Sequence, residues 1–349
     1  MKNILLLTLF IASLFITPGC TPPVKTFSMK ADLIVQPPAD ARTVSDVAAV
    51  IKKRLLTYGL KERAIATSIS GNTISLSLSG VTDSVSLKRL LTAPGHLEFM
   101  ETFENSEILS SLGKADGYLM SHPEAVTRDQ SRAQEPGGSE LADKIENESL
   151  KPDSLLSVDE WNLRHPLFGR LKPNVDFKGN PLPGSLVGYA LIKDTAVISK
   201  YLKMKDIMAF MPADLKFAWS KDPARNSASD PLYELHAIKI TTRDGKAPLD
   251  GSAIILARVM KGKKYAFPVI QISMNSEGAA VWERMTSDNT GKCIAIMIDG
   301  KVVSSPRVMD GIKGGNSEIS AGFSIKEASD LANIINSGSL PATVIIKSN

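Results

Sequence analysis

The sequence predicts an α+β protein, with two ferredoxin-like βαββαβ-type units flanking a long α+β insertion. Three observations support this. Alternating and helical apolar patterns follow one another at both ends of the chain. Turn signals separate the segments. A polar stretch breaks the pattern in the middle.

The first unit covers residues 27–104. Residues 27–35 form a strand candidate. Val44, Val47, Ile51 and Leu55 place one apolar face on a helix over 43–58, and Gly59 ends it. The runs 64–70 and 73–79 flank Gly71-Asn72, a hairpin signal. In the second run Ile74, Leu76 and Leu78 alternate with Thr73, Ser75 and Ser77, giving one buried face and one wet face. A short helix over 83–91 and a last strand over 96–101 complete the βαββαβ order.

The insertion covers 105–245, with a flexible segment near 121–155 around Glu135-Pro136-Gly137-Gly138-Ser139 and one helix on each side. Short strands follow at 186–192, 215–219 and 233–241, with a helix over 195–204 between the first two.

The closing unit covers 246–349. It reads as a strand over 268–274, a helix over 275–285, and strands 293–298 and 301–304 joined by Asp299-Gly300. A short strand over 317–321 comes next. Ser324 and Glu327 then form a capping box for a helix with Ala328, Leu331, Ala332 and Ile335 buried, and 343–346 is the final strand.

The amino terminus reads as an export signal over 1–19. Lys2 is its positive region, and 4–16 is an apolar run broken only by Thr8 and Ser13. Thirteen helical residues rise about 20 Å, short of a hydrocarbon core of roughly 30 Å. The run ends at Thr17-Pro18-Gly19-Cys20, which resembles the lipobox of bacterial lipoproteins, so Cys20 is the expected lipid attachment site and 20–26 a tether. The lipid would hold the chain on a membrane of the cell envelope, with the mature part facing the periplasm. Cys293, the other cysteine, lies in an apolar run and reads as a buried thiol. The net charge of +4 is spread along the chain, which speaks against a nucleic-acid partner.

No catalytic pattern stands out. His96, His122, His165 and His236 are isolated, and none has metal-ligand spacing. There is no nucleophile elbow, phosphate loop or dinucleotide fingerprint, and no pattern requires a cofactor. Asp299 could act as a carboxylate catalyst, but Gly300 behind it favours a turn. Gly314-Gly315-Asn316 reads as an anion cradle or, more simply, a turn. Trp282 reads as a client grip or, more simply, core. Met204, Met208 and Met211 surround the apolar stretch 207–211, which suits either an adaptable binding surface or packing.

The arrangement resembles, over nearly all of the mature chain and most specifically in the closing unit, the first periplasmic domain of the SecD/SecDF family, accessory membrane proteins of the Sec export channel. Gly278-Ala279-Ala280-Val281-Trp282 with Thr286 is similar to the family's helix. Gly291-Lys292 and the run from Ile294 to Asp299-Gly300 resemble its hairpin, with Ile298 at a usual Leu. Ser304-Ser305-Pro306, Ile312-Lys313-Gly314-Gly315, Ile319-Ser320-Ala321-Gly322-Phe323, Glu327-Ala328 and Ser337-Gly338-Ser339-Leu340-Pro341-Ala342 continue the likeness. Arg54, Tyr58-Gly59-Leu60, Ile74, Gly80-Val81 and Leu97-Glu98-Phe99 resemble the family's first unit, and Lys246-Ala247-Pro248-Leu249-Asp250-Gly251 its entry to the last one. The likeness is weakest over 106–163.

The resemblance implies a non-enzymatic module that binds emerging or unfolded exported polypeptides or Sec translocon subunits. An envelope scaffold that reuses the fold for an unrelated partner is the alternative. Family members carry transmembrane helices around this domain, whose ionisable residues are thought to carry protons. Here a lipoprotein leader stands at the first span and the sequence ends soon after Leu340-Pro341-Ala342. The expectation is therefore a tethered binding domain without its own proton-driven step.

Overall fold

The structure, a computed structural model, describes residues 26–124, 126, 156–224, 230–261 and 266–347. The signal, Cys20 and the Glu135–Ser139 stretch lie outside the described residues. Among the described residues, no helix is long and apolar enough to cross a membrane.

The amino-terminal part follows the expected order: β1 (Phe27–Gln36), α1 (Ala41–Thr57), β2 (Ile65–Ser70), β3 (Thr73–Val81) and α2 (Ser84–Thr92). Asp40 caps α1 by accepting the Thr43 N–H at 2.7 Å, and Asp83 caps α2 through Val85 and Ser86. β1, β3 and β2 are antiparallel neighbours, with Leu33 opposite Ile74 and Ala31 opposite Leu76. Their inner faces and the stripes of α1 and α2 form one core, from Leu33 and Val47 to Leu87 and Leu91.

The fourth strand of this sheet differs from the sequence reading. It is β15 (Thr343–Ile346) from the far end of the chain, antiparallel to β1 with Val344 opposite Val35. The strand read as closing the first unit, β4 (Leu97–Thr102), instead pairs with β12 (Ile294–Ile298), Phe99 opposite Ile296. The two terminal strands have changed places. β4 is buried on both faces: Leu97 and Phe99 join one core, and Met100 joins another. A four-stranded sheet over two helices has no layer for its second face, whereas β12, buried at all five positions, offers one on each side.

The middle region supplies α3 (Asn105–Ser121) and α4 (Val158–Arg164), one on each side of the undescribed stretch. Next come β5 (Lys172–Pro173), β6 (Leu186–Leu191), α5 (Ile192–Tyr201), α6 (Lys205–Met208), β7 (Leu215–Trp219) and β8 (Leu232–Lys239). The helix read over 195–204 starts three residues earlier, directly from the end of β6. Ile108, Leu112, Val187, Ile198, Ile207 and Leu235 are among the residues of its own core.

The remainder comprises β9 (Leu249–Asp250), β10 (Ile254–Met260), β11 (Val269–Met274), α7 (Ser276–Asp288), β12, β13 (Lys301–Ser304), β14 (Asn316–Ile319) and α8 (Ile325–Ser337). β10 was not expected; its edge position leaves a mixed burial pattern with no clean alternation. The strands of this part are shared among sheets: β10, β11 and β14 form a three-stranded sheet, while β12 and β13 join β4, β8, β6 and β5. The α+β class holds, although strand neighbours do not follow chain order. Trp282 on α7 is buried against Phe99, ring centres 5.1 Å apart and edge-on. It is core, and grips nothing from outside.

Candidate functional site

Asp299 is a turn residue. It has φ 52° with Gly300 at 74°, the paired positive angles of a tight hairpin. Its Oδ1 accepts the N–H groups of Gly95 and His96, each at 2.8 Å. Gly314 and Gly315 also have positive φ, and a side chain on Gly315 would meet the Ala279 Cβ at 2.7 Å. That turn is fitted closely to α7 at Gly315. Among the described residues, no group of three or more His, Cys, Asp or Glu could hold a metal.

The histidines are dispersed. His96 is exposed, His122 stacks on Tyr118, and His165 bonds Asp116 at 2.6 Å. His236 belongs to a buried network that sequence reasoning missed. Its Nδ1 lies 3.0 Å from Ser185 Oγ, its Nε2 lies 3.4 Å from Glu234 Oε2, and Ser185 Oγ lies 2.7 Å from Ser305 Oγ. The residue types suggest a nucleophile and base, but Ser185 is 2% exposed and no substrate atom can approach its hydroxyl. Cys293, buried beside it, has its thiol pKa pushed up by loss of solvent. The network ties β6, β8 and the segment after β13 together.

The methionine cluster lies at an opening. α6 is one turn long, and only its Ile207 is buried, in the middle core. Met208 is 49% exposed and Phe210 36%. Met204 and Met211 pack partly against the same core. The chain then enters β7, whose Phe217 and Trp219 face that core while Ala218 faces the small cluster under β4 and β12. The Trp219 indole donates to Ser199 Oγ at 2.8 Å.

Among the described residues, β7 pairs with β8 along one edge and meets β13 only at a parallel bridge, Ser220 with Val302. Where β7 and the β12–β13 hairpin diverge lies a cavity of about 450 Å³. Its apolar lining includes Leu202, Met208, Met211, Phe217 and Trp219; its polar lining includes Lys203, Lys216 and Lys301. Other clefts are larger, at about 610 to 790 Å³, but each carries more serines and charged side chains than this one. The groove by β7 combines apolar depth, adaptable methionines and an unused strand edge. Such a combination has the dimensions and chemistry that suit an extended polypeptide segment.

Residues 234–342 match the family model described as SecDF, P1 head subdomain. This stretch is similar to a SecDF P1 head. The protein translocase subunit SecD of Rhodothermus marinus is 32% identical over 184 residues, covering 52% of this chain and 28% of that protein. The SecD of Sebaldella termitidis is 40% identical over 111 residues, 31% of this chain and 27% of its own. The SecD of Desulfurispirillum indicum is 28% identical over 199 residues, 52% and 37%. The chain thus spans well under half of these relatives. A crystal structure of SecDF in a super-membrane-facing form aligns over 93% of this chain and 30% of its own, at 16% identity and a TM-score of 0.49. The matched stretch contributes Leu235, Gly300 and Lys301 to the groove, and the region before it contributes the methionines and β7. The groove therefore straddles the amino-terminal border of the matched stretch.

Proposed function

We propose that this chain assists protein export as a non-enzymatic, membrane-tethered module of the cell envelope. It faces the periplasm, held by a lipid on Cys20, and binds emerging or unfolded polypeptides beside the Sec channel. The observation that carries the reading is the groove at the open edge of β7, set against a stretch similar to a SecDF P1 head. Strand addition supplies sequence-independent main-chain pairing, and the apolar pocket supplies a modest side-chain anchor. Weak, reversible capture follows, with no need for nucleotide, metal or cofactor.

Photo-crosslinking in intact cells tests this from positions 208 and 216, using the full chain and a Cys20→Ala variant. Adducts with secretory precursors in transit or with Sec channel subunits are expected. The variant should leave the membrane fraction and take up no labelled fatty acid. Adducts confined to one unrelated envelope protein would replace the export reading with a scaffold. A Cys20→Ala protein that stays fully membrane-bound would remove the lipid anchor.

A further inference from the structure

We propose that the β7 groove is charge-selective: it takes an extended segment with a large apolar anchor flanked by acidic residues, in preference to basic ones. The inference rests on the polypeptide-binding reading above and names its substrate class.

The argument begins with the rim. Lys203 follows α5, Lys216 lies on β7, and Lys301 opens β13, so three separate elements bring cations to one cavity. All three side chains are exposed, and none has an ion-pair partner among the described residues. Among the described residues, no carboxylate lines the cavity with them. Asp206, close in sequence, accepts a hydrogen bond from the Tyr118 hydroxyl at 3.1 Å. Lysine stems lie along apolar surface while their heads stay in water, so the rim adds both contact and charge.

The geometry sets the occupant. The unused edge of β7 runs five residues, about 16 Å at strand rise. A strand laid there sends alternate side chains to one side, so an anchor in the pocket has neighbours directed outward near Lys216 and Lys301. Acidic neighbours gain from that field and basic ones are repelled. At a solvated rim each pair contributes little alone, so selectivity accumulates over several contacts and weakens with salt. A buried polar pocket would instead select by hydrogen bonds, and the lining offers few.

The test uses the full chain and fluorescent six-residue peptides with one central Phe. The neighbours of that Phe are Glu, Gln or Lys, and binding is read by anisotropy at low and moderate salt. The Glu peptide should bind about tenfold tighter than the Lys peptide at low salt, with the gap shrinking as salt rises. K216E with K301E, both exposed positions whose fold is checked by circular dichroism, should reverse the order. Methylating alternate main-chain nitrogens of the Glu peptide should abolish binding if it adds as a strand. Equal binding of all three peptides overturns the charge selectivity and leaves the polypeptide reading standing. No binding of any peptide overturns both. Retention of oleate, with no peptide bound, would assign the pocket to an anionic lipid and overturn the inference.

Discussion

Arg54 is fully buried, yet it is a cation with no carboxylate bonded to it among the described residues. Its guanidinium donates to four carbonyls: Leu90 at 2.7 Å, Ala93 at 2.5 Å, Pro94 at 3.2 Å and Gly338 at 3.1 Å. It thereby joins the end of α2, the approach to β4 and the end of α8. Burial pulls its pKa down to about 10, and the nearby charge of Asp299 opposes that fall. The sign follows from the base: the folded state holds this proton less tightly than the unfolded chain, so stability contributed here rises as pH climbs through about 10. Alkali below that range does not loosen the latch. Arg54→Leu takes the guanidinium from all four carbonyls, of which Pro94 keeps the Leu340 N–H at 2.7 Å, and should cost about 3 kcal/mol in urea unfolding. A cost below about 1 kcal/mol would mean that water replaces the guanidinium at these carbonyls.

At the scale of elements, two ion pairs bind α2 to α8, one of them between Arg89 and Asp330 at 2.7 Å. Asp83, the cap of α2, also pairs with Lys326 in the first turn of α8, and both lie at the surface. That ion-pair hydrogen bond, with the cap's backbone donors, holds the Asp83 pKa well below the usual carboxylate range. A depressed carboxylate stabilises above its unfolded pKa of about 3.9 and loses that contribution as pH falls through its folded value. Asp83→Asn keeps a capping oxygen and removes the titration. The stability gap between wild type and variant should therefore be open at pH 7 and close progressively below about pH 4, as denaturant midpoints would show. A gap unchanged at pH 2.5 would assign Asp83 to capping alone.

Elements of this kind were legible in the sequence, because a cap, a hairpin or a helical stripe is written within a few residues. Ser324 and Glu327 do form the capping box, and Asp299-Gly300 does turn the β12–β13 hairpin. The choice of strand partner was not legible. The pattern of β4 reports burial, while its neighbour β12 lies far along the chain. The groove divides the same way. The methionines of 204–211 announced themselves by composition, but Lys301 comes from a distant hairpin and the open edge of β7 exists only once the sheet is formed.

For the whole molecule, the exchange of β4 and β15 makes the two ends of the chain one cooperative body. β1 has β3 on one side and β15 on the other, with Leu33 to Gln36 in register with Ile346 to Thr343. Ile334, Leu340 and Val344 complete the core under β1 and α1, and Gly338 accepts from Arg54. Truncation after Gly338 removes two buried apolar side chains and an edge strand from the amino-terminal sheet. It takes nothing from the core that holds Trp282, because Leu331 and Ile335 of α8 remain. Each lost side chain costs about 2 kcal/mol or more, a large share of the stability of a typical domain. Amide exchange should therefore rise in β1 and β3, although they lie more than two hundred residues from the cut, while β11 and β12 keep their protection. A peptide of residues 339–347 added in trans should restore β1 by pairing along its vacant edge. If β11 and β12 lost protection first, β15 would be supporting the closing unit, and the coupling would run opposite to the one its strand register defines.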